Sequence, residues 1–318
     1  MKMLLAAAIA LLWSSPALTQ TYPAKPVRYV VPFPAGGSPD MVARLLSERL
    51  NRIWGQPMVV ENRSGAGGTV GAAVVAKATP DGYTLFQCNI ASNAIAYSLY
   101  AKLQYEAREF VPITLIGTTQ SAIVVHPSLP AASIAEFISY AKANPGKLSY
   151  GSSGVGSSPQ LAMELFKLNA KIEVVHIAYK GAAPAIADAI GGQVPVTLSN
   201  LPALLGPVQA GRLRALAVTG QKRAPQWPSV PTIAESGMPG YEVTSWYGAC
   251  APSGTPSQIL QKLNADFGSV LRSAELQQRF NELVIDAAPM TPEAFAAFIR
   301  DETKRWTKVV HDAAIPQQ

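Results

Sequence analysis

The chain has 318 residues, 48% of them apolar and 14% charged, with a formal net charge of +6. That length accommodates two domains with ordinary cores, and glycine plus proline, about a sixth of the residues, fall short of the share that marks disordered or collagen-like chains. The basic excess comes without any run of five Lys or Arg, so the charged patch that a nucleic-acid binder needs is missing.

The first residues read as a secretory leader, with Lys2, then an apolar run at 4–13, then small residues around Ser14, Ser15 and Ala17. The run is too short to span a bilayer. Cleavage after Ala17 or after Thr19 suits the pattern, and no cysteine stands near enough to carry a lipid anchor. Losing residues 1–19 removes one lysine and no acid, which takes the charge from +6 to +5.

Beyond the leader, strands and helices alternate as in an α/β protein with largely parallel sheets. The patterning predicts strands at 27–32, 58–60, 83–88, 110–116 and 123–126, with helices over 39–54 and 69–78. Ser133 and Glu136 form a capping box that opens a helix ending at Asn144. Strands at 147–150, 173–179, 194–198 and 213–219 then alternate with helices at 159–168, 184–190 and 201–210. The proline-rich stretch 225–240 reads as a connector, and a strand at 243–251 leads into C-terminal helices. Thr255-Pro256 and Thr291-Pro292 each place a hydroxyl cap before a proline at a helix start. Breaks at 117–121 and 238–244 divide the mature chain into one lobe of 20–118 and 245–318 and an inserted lobe of 119–244.

Export permits a disulfide between Cys88 and Cys250, and two buried free thiols fit the sequence equally. His126, His176 and His311 are scattered and no C-x-x-C occurs, so no metal site is expected. His176, within an apolar strand, reads as a packed residue.

Four loops share one chemistry: 35–40 (Ala-Gly-Gly-Ser-Pro-Asp), 64–69 (Ser-Gly-Ala-Gly-Gly-Thr), 152–158, rich in serine, and 179–184 (Tyr-Lys-Gly-Ala-Ala-Pro). Each delivers a helix N-terminus after a strand, with Ser38 as the expected cap of the first helix and Pro39 as its start. In open parallel sheets ligands sit at the strands' carboxyl ends, and free N–H groups with the positive helix end favour an anion there. A helix end contributes ~0.3–1 kcal/mol, up to ~2 when partly buried, and a hydrogen bond to a charged group ~1.5–3 kcal/mol. Several together offset the several kcal/mol lost on drying a carboxylate, without a buried arginine. Catalytic templates fail: Val70 stands where a dinucleotide fingerprint needs its third glycine, Ser153 lacks a G-x-S-x-G frame, and neither a phosphate-binding P-loop nor H-E-x-x-H occurs. No catalytic residue, metal or cofactor is therefore assigned.

The ordered motifs resemble the Bug-type periplasmic solute receptors of tripartite tricarboxylate transporters in Gram-negative bacteria. The likeness covers nearly the whole mature chain: Pro32-Phe33-Pro34-Ala35-Gly36-Gly37 with Asp40, Val60-Glu61-Asn62-Arg63, Pro80-Asp81-Gly82-Tyr83-Thr84, Tyr150-Gly151-Ser152-Ser153-Gly154, Tyr179-Lys180-Gly181, Gly211-Arg212-Leu213 and Ala251-Pro252-Ser253-Gly254-Thr255-Pro256. The resemblance implies a two-lobed periplasmic-binding-protein fold of the type II Venus-flytrap kind, acting as a monomer that closes on a small carboxylate and hands it to a two-component membrane transporter. The ligand classes it suggests are dicarboxylates, acidic amino acids and aromatic carboxylates. It implies that Phe33, Ala35, Gly36, Gly37, Ser38 and Asp40 face Ser152, Ser153, Gly156, Ser157 and Ser158 across the ligand, with Gly67, Gly68, Asn93, Tyr179 and Asn200 touching the rest. Asp40 and Asp188 read as acids that orient loop N–H groups, waters or a ligand amine, or as plain helix-end residues. Gln160 stands where many relatives have His, and Ser199 where Asp is common, so polarity toward the distal end of the ligand is altered. Two other readings compete: an exported hydrolase using Ser152 or Ser153, and a sensor partner of a membrane kinase.

Overall fold

The computed structural model describes residues 22–312 and 315–317, and the leader expected at 1–19 lies outside the described residues. Strand β1 (Val27–Val31) leads to helix α1 (Ser38–Trp54), β2 (Met58–Asn62) to α2 (Thr69–Ala76), and β3 (Thr84–Phe86) to a π-helical turn (Ala91–Ile95) that runs into the short α3 (Ala96–Leu99). β1 is parallel to both β2 and β3. In α1, Val42, Leu46 and Leu50 recur at helical spacing and pack with Tyr29, Phe267 and Phe280, whereas Ile53, near the end of the helix, is 47% exposed. Gly55, left-handed at φ 61°, ends the helix.

The strand break expected at 117–121 does not occur. One strand, β4 (Phe110–Val125), runs through it, bent by register shifts near Pro112, Leu115 and Ile123. Gly117 lies so close to the C-terminal segment that a Cβ there would come 2.7 Å from the Asp286 carbonyl oxygen.

Helix α4 (Ile134–Ala143) follows, then β5 (Ser149–Ser152), α5 (Ser158–Ala170), β6 (Val175–Ala178), α6 (Ala182–Ile190), β7 (Val196–Asn200), α7 (Leu201–Gln209) and β8 (Arg214–Val218). The chain returns through β9 (Thr244–Pro252), α8 (Ser257–Leu271), α9 (Ala274–Glu282), β10 (Asp286–Ala287) and α10 (Pro292–Asp312). Strand order is β2-β1-β3-β9-β4-β7-β5-β6, with β8 and β10 also paired to β4. The first part of β4 pairs antiparallel with β9, and its last five residues pair with β7. These long strands therefore cross between a half built on β1–β3 and a half built on β5–β8. In the second half Ile123, Leu198, Phe137 and Phe166 share one core, while Ala122, Val124, Ile186 and Leu204 form another under α6 and α7.

Ser133 accepts from the Glu136 N–H as expected, but the Glu136 carboxylate reaches Ala132, one residue before the cap. Thr291 accepts from the Ala294 N–H at 3.3 Å. Thr255 does not cap: its hydroxyl donates to the Pro252 carbonyl at 2.8 Å, and α8 begins after Pro256 without a side-chain cap. Cys88 and Cys250 form a buried disulfide with Cα atoms 5.8 Å apart, which settles the alternative left open by the sequence.

Candidate ligand-binding cleft

Between the two halves, the segments that follow β1, β3, β5 and β6 meet the end of β7 and the start of β9. They frame a narrow space of about 40 Å³ that opens to solvent at its mouth. Phe33, Pro34, Gly37, Ser38 and Pro39 form one wall, Ser153, Ser157, Ser158, Pro159, Gly181 and Ala182 the other, and Asn89, Ile90, Ala91, Ser199, Asn200, Ser245, Trp246 and Tyr247 the floor. The N-termini of α1, α5, α6 and α7 all open on this space, and no Lys, Arg or His is among the described residues that line it.

The floor is one connected polar network. Asn200 Oδ1 accepts from the Ser121 hydroxyl at 2.8 Å and from the Ser245 hydroxyl at 3.0 Å, while its Nδ2 donates to the Tyr247 hydroxyl at 2.8 Å. Ser245 also meets Ser158 at 2.7 Å. Burial pushes the Tyr247 phenol well above its ordinary pKa. The network thus joins the end of β7 and the start of β9 to the first residue of α5.

Seven of the expected contact residues line the cleft: Phe33, Gly37, Ser38, Ser153, Ser157, Ser158 and Asn200. Ser38 does so in another role than the one expected. The cap of α1 is Gly37, extended and without a side-chain bond, and Ser38 is already helical, with its residue buried at the cleft wall. Ser157 does cap, accepting from the Gln160 N–H.

Gly67, Gly68 and Tyr179 lie in an outer groove that shares Phe33, Pro34, Ser153 and Gly181 with the cleft. Here the halves touch: a Cβ on Gly67, left-handed at φ +62°, would sit 2.9 Å from the Val155 oxygen, and the Tyr100 hydroxyl donates to that oxygen at 3.3 Å. Ala35 and Gly36 are exposed at the tip of their loop and line neither space.

Asp40, Asn93, Ser152, Gly156 and Asp188 also line neither, because each is occupied within the protein. Asp40 accepts from the Gly36 N–H at 3.0 Å, from Arg44 at 2.9 Å and from Asn62 at 3.0 Å, and so shapes the 33–37 loop from behind. Burial opposes its charge, but those hydrogen bonds outweigh it and hold the carboxyl below its usual range. Asn93 accepts from the Asn89 N–H and the Ser92 hydroxyl within the π-helical turn. Gly156 donates its N–H to the Gln160 side chain at 2.8 Å, so Gln160, expected near the distal end of a ligand, instead folds back on its own loop. Asp188 accepts from the Tyr179 hydroxyl at 2.6 Å, and burial, then that bond, push the phenol to about 12.

Ser152 is fully buried and lies 2.7 Å from His176 Nε2, with the imidazole stacked on Tyr150. Burial lowers the His176 pKa. A serine–histidine contact therefore exists, but the serine hydroxyl also exchanges hydrogen bonds with Gly154 in its own loop, and the residue that lines the cleft is Ser153. Among the described residues no group of three or more His, Cys, Asp or Glu is placed to hold a metal ion, and no helix is long and apolar enough to cross a membrane.

Sequence patterning missed Asn89, Ile90 and Ala91, which a π-helical turn brings forward, and Ser245, Trp246 and Tyr247, which reach the cleft only because β9 crosses between the halves. Gly181 and Ala182 belong to the fourth Gly-containing loop, whose position before a helix was the available signal.

Residues 42–315 match the model of a family described as the tripartite tricarboxylate transporter family receptor. The chain is 37% identical over 301 residues to the protein BugT of Bordetella pertussis (strain Tohama I), covering 94% of this chain and 92% of that one. A solved structure described as R. palustris Rpa4515 with adipate is 38% identical, covers 93% of this chain and all of its own, and superposes with a TM-score of 0.91. A structure of the periplasmic binding protein BugD is 35% identical over 93% of this chain and all of its own, with a TM-score of 0.90. MatC of Rhodopseudomonas palustris with bound malate is 31% identical over 91% of this chain and all of its own, with a TM-score of 0.87.

Proposed function

The chain belongs to the tripartite tricarboxylate transporter receptor family, and from that premise we propose that it is a periplasmic receptor that captures a small carboxylate between its two lobes for a two-component membrane transporter. The observation that carries the reading is the convergence of four helix N-termini on a hydroxyl-lined cleft that, among the described residues, is lined by no cationic side chain. Such a site attracts an anion through backbone N–H groups and helix dipoles. Two similar solved structures hold small carboxylates, adipate in one and malate in the other. We place the lobes at 20–118 with 245–318, and at 119–244, on the crossing of β4 and β9 near those positions. The direct contacts are assigned to Ser38, Ser153, Ser157, Ser158 and Asn200 with Phe33 and Gly37, while Asp40 holds its loop in shape.

The test is a thermal-shift panel of dicarboxylates, acidic amino acids and aromatic carboxylates on protein shown by native mass spectrometry to be ligand-free. At a hundredfold excess over Kd a true ligand adds ~2.7 kcal/mol, a rise of several degrees at ~2–4 °C per kcal/mol. A flat response across the panel refutes the reading.

A further inference from the structure

His176 stands on β6 and does not line the cleft, but its ring touches the loop that does. Its Nε2 lies 2.7 Å from the Ser152 hydroxyl, which is fully buried at the end of β5. That hydroxyl meets both polar groups of Gly154, the N–H at 3.2 Å and the carbonyl at 3.3 Å. The Gly154 carbonyl in turn accepts from the Ser157 hydroxyl at 2.7 Å, and Ser157 caps α5 and lines the cleft with Ser153. One short relay therefore joins a half-buried imidazole to the serines proposed as ligand contacts.

The relay has two settings. A neutral ring with a bare Nε2 accepts the Ser152 proton, which leaves the serine oxygen to accept from the Gly154 N–H. An imidazolium donates instead, so the Ser152 proton must turn to the Gly154 carbonyl, where the Ser157 hydroxyl is already bound. Among the described residues, the charged groups that act on the ring are Glu164 and Lys167 of α5, and the Tyr150 phenol of β5 is stacked on it at 4.9 Å. Glu164 accepts from Lys167 at 2.8 Å and from the Tyr150 hydroxyl at 2.6 Å, so its charge is offset before it meets the ring. A proton on His176 thus adds positive charge behind the loop. We infer that His176 is a positioning residue of the cleft, whose protonation resets the hydrogen bonds of the 152–158 loop and strengthens its hold on an anion. The inference rests on the carboxylate-receptor reading above.

Two-dimensional NMR of the ligand-free protein, from about pH 8 down to about pH 4.5, follows the His176 ring together with the amides of Ser153, Gly154 and Ser157. The amides are expected to shift with the midpoint of the ring, and to lose that midpoint in His176→Gln, which stays neutral and keeps a polar end for Ser152. Ser152→Ala, in which the ring still titrates, is expected to uncouple them as well. Amides that ignore the ring, amides that follow it equally in Ser152→Ala, or a ring that takes up no proton in that range overturn the inference. Calorimetric titration over the same pH range reads the effect on binding, with adipate or, where adipate is silent, the acid giving the largest thermal shift. Wild type is expected to gain about threefold or more in affinity relative to His176→Gln as pH falls through the ring midpoint, a ratio in which protonation of the acid itself cancels. A ratio that stays flat or falls overturns the inference and leaves the receptor reading intact. Failure of the wild type to bind any carboxylate at any pH refutes the receptor reading, and this inference with it.

Discussion

Replacing Asn200 with alanine should loosen the joint between the two halves more than any other single polar change at the cleft. The residue makes three side-chain hydrogen bonds, to Ser121, Ser245 and Tyr247, at 2.8, 3.0 and 2.8 Å. Those partners are 1%, 1% and 2% exposed, so water reaches them poorly after truncation. At ~1 kcal/mol net per bond the loss is about 3 kcal/mol, and a wetted cavity would trim it toward about 2. With ~2–4 °C per kcal/mol that lowers Tm by roughly 6–12 °C. The assay is thermal denaturation followed by circular dichroism, with Tyr247→Phe and the double variant completing a cycle. Coupling between the two positions should exceed ~0.5 kcal/mol, as for groups in one network. A fall below about 2 °C, or additive single effects, would refute the reasoning that the floor acts as one unit.

Breaking the Cys88–Cys250 bridge, which spans 162 residues of sequence, should cost about 5 kcal/mol by chain-entropy scaling; urea midpoints with and without reductant measure it, and identical midpoints would contradict the estimate. Asp40, with its folded-state pKa below the ordinary 3.8, contributes stability that is complete above the unfolded value and is lost as pH falls through the lower folded one. The Tm gap between wild type and Asp40→Asn should therefore be level from about pH 5 upward and shrink below about pH 4, and a gap that widens on acidification would reverse the assignment. Gly67→Ala places a methyl 2.9 Å from the Val155 oxygen only when the halves meet. Ligand affinity should drop roughly tenfold with a larger radius of gyration in saturating ligand, and unchanged affinity would show that this contact is not part of closure.

Much of the architecture could be read from local chemistry. The strand, Gly or Ser loop, proline, helix pattern located the starts of α1 and α5 within a residue or two, because turn and cap preferences are local. What could not be read depended on pairing between distant segments. β4 is buried along nearly all of its length, so it lacks the alternation that would reveal a single strand, and only its pairing with β9 and β7 shows that it crosses between the halves. Ser152 and Ser153 are neighbours in sequence, but Ser152 is the last paired residue of β5, on the same face as Tyr150 and His176, while Ser153 begins the loop that lines the cleft, and where the strand ends depends on pairing with β6. Cap residues showed the same limit: Ser38 has the chemistry of a cap, but the helix starts one residue earlier, with Gly37 at the cap.

That no cationic side chain lines the cleft among the described residues bears on how a receptor of the proposed kind can change its diet. A grip made of main-chain N–H groups at the starts of α1, α5, α6 and α7 survives almost every point mutation, since only proline deletes an amide hydrogen. Arginine-based anchors would have to be kept, and each would demand its own neutralising neighbours. On the proposed reading, the side chains at Phe33, Ile90, Ser153 or Ser199 could be exchanged without stranding a buried charge, so new specificities would be reachable by single steps that keep the main-chain anion site.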